Sequence, residues 1–166
     1  MIQGNVSALA LLLSKTKHRN RHTRNFRGET LLHFAAKKNY SGLYINLSKA
    51  HYPEDCNPAD SQGLTPLHMA AGDKNKTLSS GIAIVQFIVD RIDKAESSTI
   101  CDMFNKTPLH YAASAGNVEA VQLLLPLHSN TTAKDCNGLT AEDCAVIEGH
   151  RQVSHLIATH FRLVAE

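Results

Sequence analysis

The feature that most constrains this chain is a segment that returns four times in phase. Residues 25–36, 60–71, 102–113 and 135–146 align on a threonine, at Thr30, Thr65, Thr107 and Thr140, with separations of 35, 42 and 33 residues. A period of a few tens of residues points to stacked supersecondary units rather than to one irregular core. Ahead of each threonine stands a four-residue turn: Asn25 to Gly28, Asp60 to Gly63, Asp102 to Asn105 and Asp135 to Gly138. Its last position suits a positive φ. The threonine then caps a short helix, and Pro66 and Pro108 take the first helical position, where a missing N–H costs nothing. Leucine and an Ala-Ala pair allow that helix to pack closely. Gly116 and Gly149, each nine residues after a threonine, end it in a left-handed cap, and Asn39 stands in for glycine in the first copy. A second helix follows, as in residues 84–89 and 120–125. Thr65 to Val85 spans 20 residues but Thr107 to Val121 only 14. Six extra residues therefore lie within 73–81, a polar loop, and three more between Val89 and Asp102.

These residues resemble the ankyrin family. Its Thr-Pro-Leu-His-x-Ala signature stands intact at 65–70 and 107–112, and the resemblance runs from residue 25 to about 160. It implies an all-α ankyrin-repeat solenoid of about four helix-turn-helix repeats joined by β-hairpin-like loops. The expected repeats are 25–59, 60–101, 102–134 and 135–166. It also implies that His33, His68 and His110 hydrogen-bond to the turn and to the neighbouring repeat, so their role is structural.

Both ends of the array need a polar outer face. Asn5 caps an expected helix from Val6 to about Lys15, which would cover the apolar side of the first repeat; residues 1–24 are thus read as a capping helix and a basic connector. In the fourth repeat Ala141 replaces proline and Asp143 replaces histidine, which suits a unit with no repeat after it. The last helix, about 151–163, gathers Val153, Leu156, Ile157 and Phe161 on one face.

Composition agrees with this plan. The chain has 166 residues, of which 43% are hydrophobic, but only 5% are aromatic and none is tryptophan. The core must come from Leu, Ile, Val and Ala, which favours small, closely packed helices. Six of the 17 Lys and Arg residues fall in 1–27, with none of the 15 acids, so the remainder carries eleven basic against fifteen acidic residues. That basic leader is open to three readings: a solvated connector, a nuclear-import signal, or a contact for an acidic partner. Direct nucleic-acid binding is disfavoured, because no aromatic is interleaved for base stacking and the array is net acidic.

Other function classes find little support. No run approaches the roughly 20 apolar residues of a membrane span, and Val6–Leu13 lacks the flanks of a signal peptide. The four cysteines, at 56, 101, 136 and 144, form no Cys-x-x-Cys pair; they are expected to be reduced, buried structural thiols. There is no phosphate loop, nucleophile elbow, His-Glu-x-x-His or calcium loop. His150, His155 and His160 recur every five residues, which spreads them around a helix. Asp143 beside Cys144 belongs to an inner helix rather than to a nucleophile pair. No enzyme activity, cofactor, metal or small-molecule substrate is expected.

A binding module presents its turn tips and the ends of its inner helices. The positions expected to be free for a partner are Phe26, Arg27, Lys37 and Lys38; Ser61, Gln62, Gly72 and Asp73; Met103, Phe104, Ser114 and Ala115; Cys136, Asn137, Ile147 and Glu148. Met103 and Phe104 place two large apolar groups on one tip, as interface anchors do, unless Phe104 folds back on the long loop of the second repeat. Phe26 is similar, and Lys37 with Lys38 would complement acidic groups.

The insertion in the second repeat and its Ile-Val-Gln-Phe-Ile helix resemble the IκB/Cactus group of ankyrin proteins, and more closely the short viral IκB-like proteins (vankyrins) of polydnaviruses. That resemblance implies a host Rel/NF-κB transcription factor as protein partner, held in the host cytoplasm or nucleus. The sequence shows no Asp-Ser-Gly-x-x-Ser degradation signal and no acidic tail, which implies an inhibitor that is not degraded on cue and suppresses immune transcription. About four repeats are fewer than the cellular inhibitors carry, so the footprint would be smaller. Two other readings compete: an ankyrin inhibitor of another partner, such as a cyclin-dependent kinase, and a ubiquitin-ligase substrate adaptor, for which a second docking element is missing.

Overall fold

The computed structural model describes residues 24–51, 55–74, 80–92, 100–127 and 131–164. Among them are eight helices and no strand: α1 (Leu31–Lys37), α2 (Ser41–His51), α3 (Pro66–Ala71), α4 (Ser80–Val89), α5 (Pro108–Ala115), α6 (Val118–Leu124), α7 (Ala141–Ile147) and α8 (Arg151–Val164). The inner helices α1, α3, α5 and α7 stack in one row and the outer helices α2, α4, α6 and α8 in a second, each inner helix packed on the outer helix that follows it. This is an all-α repeat solenoid. The expected helix at 6–15 lies outside the described residues, as does part of each insertion in the second repeat.

Inner helices of six to eight residues are too short to persist alone, so their ends and their packing must hold them. At the start, Thr30, Thr65 and Thr107 each head a reciprocal capping box whose partner is the histidine three residues on. Along the helix, Ala35, Ala36, Ala70, Ala71, Ala112 and Ala113 are all buried. Without large side chains there, neighbouring helices approach closely. Leu32, Leu67 and Leu109 fill the space between repeats, and with Ile84, Val85, Ile88, Val121 and Leu124 they form one core that runs the length of the stack.

The histidines make the joint between repeats. The backbone N–H of Thr30, Thr65 and Thr107 donates to Nδ1 of His33, His68 and His110 at 3.0, 3.1 and 3.1 Å. The threonine hydroxyl lies 2.8–3.0 Å from the same nitrogen. On the far side, Nε2 meets the carbonyl of Leu64, Lys106 or Leu139, the residue just before the next threonine, at 3.0–3.1 Å. An amide N–H can only donate and a carbonyl can only accept. The bonds therefore assign a neutral imidazole with its proton on Nε2.

The turns are stitched as well. Ser61 N–H donates to Arg27 O, Met103 N–H to Gln62 O and Cys136 N–H to Phe104 O, one backbone bond per step at 2.8–3.0 Å. Within each turn an aspartate, or Asn25 in the first, accepts two backbone N–H groups through one side-chain oxygen. The turn closes through a left-handed residue, glycine in three copies and Asn105, at φ +57°, in the third. Asn39 (φ +56°) and Gly116 (φ +68°) end α1 and α5 in the same region. Gly116 has a second reason to be glycine: a Cβ there would lie 2.6 Å from the His150 ring, whose Nε2 donates to the Ser114 carbonyl. The second repeat differs, since Gly72 after α3 has φ −80°.

In the fourth repeat, Asp143 accepts from the N–H and the hydroxyl of Thr140, at 2.9 and 2.7 Å. It keeps the cap and is too short to reach another repeat. His110 reaches onward to Leu139; with buried Leu109, Val121 and Leu125 it is matched in the fourth repeat by Glu142, Asp143, Ser154 and Ala158. Val153 and Ile157, which face back, are buried. The fourth repeat thus carries an apolar face toward the stack and a more polar face away from it.

Burial also pushes the His33 and His110 imidazoles below their ordinary pKa. The unfolded chain therefore takes up protons on these groups before the folded chain does. Their contribution is complete above about pH 6.5, the ordinary histidine value, and is lost as pH falls from there toward the lowered folded values. The urea midpoint should drop between pH 7.5 and pH 5.5. In a His33→Gln, His110→Gln double variant the midpoint should be lower at pH 7.5 and that pH-dependent drop smaller.

Candidate protein-binding surface

The four turn tips stand in one row because a single backbone bond ties each to the next. Phe26 is 90% exposed, Met103 62% and Phe104 49%. Arg27 lies 5.3 Å from the Phe26 ring centroid. Ser61, Gln62, Cys136 and Asn137 are exposed too, so every expected tip residue reaches solvent. Phe104 stays half-exposed rather than buried against the second repeat. The tips still serve the fold through their main chain, and Ser61 Oγ adds a bond to Arg27 O at 2.6 Å.

At the ends of the inner helices the residues divide. Lys37, Lys38, Ile147 and Glu148 are exposed, with Ile147 at 65%. Asp73, Ser114 and Ala115 are not free in the way the pattern implies. Asp73 is half-buried and accepts a 2.5 Å bond from Asn39 Nδ2. Having no left-handed cap of its own at Gly72, the second repeat is tied here to the cap of the first. Ser114 is half-buried, with its carbonyl taken by His150, and Ala115 is buried. The ends of the inner helices thus form a floor of small side chains in the middle repeats, between larger ones in the first and fourth.

Two exposed apolar residues fall outside the expected set. Val146 occupies the slot of the second buried alanine, and no described helix covers it. Phe34 sits between the histidine and the first alanine of its repeat. Its counterpart Tyr111 leans back on the preceding repeat, with its ring 5.4 Å from that of His68 and its hydroxyl donating to Asp102 at 2.8 Å. The residue type at that slot, large in Phe34, Met69 and Tyr111, was the available signal. An open cavity of about 540 Å³ adjoins Phe34, Leu31, Lys37 and Lys38.

The cysteines correct one expectation. All four are free, but only Cys56 and Cys144 are buried; Cys101 and Cys136 are exposed. Cys136 occupies a tip, where no packing is available, and Cys101 leads into the turn before it. Burial raises the thiol pKa of Cys56 and Cys144, which keeps them protonated and unreactive. Among the described residues no group of three metal-ligating side chains converges, and no helix is long and apolar enough to cross a membrane.

Known proteins share this repeat. Residues 78–163 match the family model described as Ankyrin repeats (3 copies), and residues 12–70 match Ankyrin repeats (many copies). The chain is 34% identical over 125 residues to Alpha-latrotoxin-Lh1a of Latrodectus hasselti, covering 75% of this chain and 9% of the toxin. It is 31% identical over 135 residues to the probable 26S proteasome regulatory subunit p28 of Saccharomyces cerevisiae, covering 81% of this chain and 55% of the subunit. With the tyrosine-protein kinase Shark of Drosophila melanogaster it shares 28% over 156 residues, 94% of this chain and 16% of the kinase. The chain thus spans from a tenth to about half of the length of these relatives.

Because their side chains stand clear of the core, Met103 and Phe104 should be removable without harm to the fold. A Met103→Ala, Phe104→Ala variant should melt within about 2 °C of the parent, since exposed substitutions fall within about 0.5 kcal/mol. A loss of several degrees would place these residues in the core.

Proposed function

Because the chain belongs to the ankyrin-repeat family, we propose that its work is to hold another protein along the row of turn tips and the concave ends of the inner helices, without catalysis. The observation that carries this reading is the Met103–Phe104 tip. Two large apolar side chains reach solvent on a turn that its main chain already ties to both neighbouring turns. Their exposure leaves them little share in the core, and they are the kind of residue that anchors an interface. Exposed Phe26, Val146 and Ile147 extend apolar contact to both ends of the array.

The partner we propose, on the resemblance of the second repeat to the IκB/Cactus group, is a Rel/NF-κB transcription factor, sequestered so that immune transcription stays low. The relatives reported above are of other kinds, and the Rel reading rests on that resemblance alone. Ankyrin arrays use one scaffold for many partners, so fold does not choose among them.

Affinity capture from immune-stimulated insect cells tests both levels. Rel proteins should be retained, expression of the chain should lower a Rel-driven reporter, and the Met103→Ala, Phe104→Ala variant should lose the retained protein. A Rel-free eluate with an unchanged reporter would sink the Rel reading. Retention unaffected by the tip variant would sink the proposed surface.

A further inference from the structure

The row of turn tips and inner-helix ends has two chemically different poles. At the first repeat it is cationic: Arg27 on the tip and Lys37 and Lys38 at the end of α1 are all exposed. The one ion pair among the described residues joins Lys106 to Asp135, so none of these three cations is matched by a carboxylate within 4 Å. At the third and fourth repeats it is apolar, through Met103, Phe104 and Ile147. Between the poles lies the floor of Gly72, Ser114 and Ala115, and the one carboxylate there, Asp73, is engaged by Asn39. Phe26 lends apolar surface to the first pole as well and Glu148 a carboxylate to the second, so among these positions it is the exposed cations that are confined to one end.

The tips add a spacing. In each, the carbonyl of the second turn residue (Phe26, Ser61, Met103 or Cys136) accepts no hydrogen bond among the described residues. Packed helices stand about 8–10 Å apart, so these acceptors recur at about that interval. An extended chain in the polyproline II form repeats every three residues, about 9 Å, with its N–H groups unbonded, and can present one N–H to each tip. A helix keeps its N–H groups for itself.

We propose that the partner contributes an extended segment, acidic at one end and apolar at the other, laid along the array with its carboxylates over Arg27, Lys37 and Lys38 and its apolar side chains on Met103, Phe104 and Ile147. The proposal rests on the binding-module reading and deepens it. Two to three repeat steps separate the poles, about 20–30 Å, which is about six to nine extended residues. A Rel protein bound this way would offer an acidic segment, not its basic DNA-contacting surface.

The probe is a library of random 12-residue peptides displayed on phage and selected on the immobilised full chain. Twelve residues reach about 40 Å extended but only about 18 Å as a helix, so only an extended peptide meets both poles. Enriched peptides should carry an acidic cluster about six to nine residues from an aromatic or aliphatic pair. Binding of the enriched synthetic peptide should fall at least about tenfold, the scale of one interface anchor, for Lys37→Glu with Lys38→Glu and again for Met103→Ala with Phe104→Ala. The parent's affinity should fall with added salt, and the lysine variant's much less. Thermal melting of both variants at the parent temperature shows that binding, not folding, was changed. Neutral or basic winners, no enrichment, or binding unchanged in either variant would overturn the proposal. If cell proteins are still captured through the tips while the peptides fail, the binding-module reading stands and only this inference falls.

Discussion

Each of the first three repeats is joined to the next by one imidazole. Nδ1 of His33, His68 or His110 takes the N–H of its own capping threonine, and Nε2 gives its proton to the carbonyl just before the next one. A single rigid ring thereby fixes where a helix starts and how far away the following turn sits. It is buried, so leaving either nitrogen unpaired would cost about 1–3 kcal/mol. Helices of six to eight residues have little stability of their own to meet such a loss. The leucine and alanine core supplies most of the driving force, and the histidine supplies the register in which it is used.

That register sets the surface. Once consecutive turns are held at one separation, their tips fall in line and a single backbone bond per step links them. One main-chain bond per step is then committed to the fold, while the side chains of Phe26, Met103 and Phe104 are left to solvent. The same division recurs on the concave side, where Asp73 and Ser114 are drawn into bonds with neighbouring repeats and Lys37, Lys38 and Ile147 are not. What the array offers a partner is the remainder after its joints have been made.

Much of the frame was legible because it is local. A threonine three residues before a histidine, a proline after the threonine and a glycine nine residues on are short-range signals, and each recurs in phase. Asn39 was readable as a left-handed cap, and Asp143 as the loss of the histidine's onward bond; that Asp143 still caps α7 was not. What the sequence did not show depends on residues far apart along the chain. The bond from Asn39 to Asp73 spans 34 residues and sits just past the end of α3, which lacks a left-handed cap. The contact of Gly116 with His150 likewise follows from stacking. Cys101 and Cys136 were misjudged because burial is the usual state of a free cysteine, whereas their places beside and within a tip leave nothing to bury them. Partner identity is less legible still, since the signature residues are those that face inward.

The central claim is that one neutral, Nε2-protonated imidazole spans each of the first three junctions. Nitrogen-15 NMR of the imidazole rings at pH 7.5 observes it directly, because a protonated and an unprotonated ring nitrogen differ widely in chemical shift. His33, His68 and His110 should each show Nε2 protonated and Nδ1 bare, while Nδ1 receives the threonine N–H. A proton on Nδ1 of any of the three, or a charged ring, would contradict the joint described here.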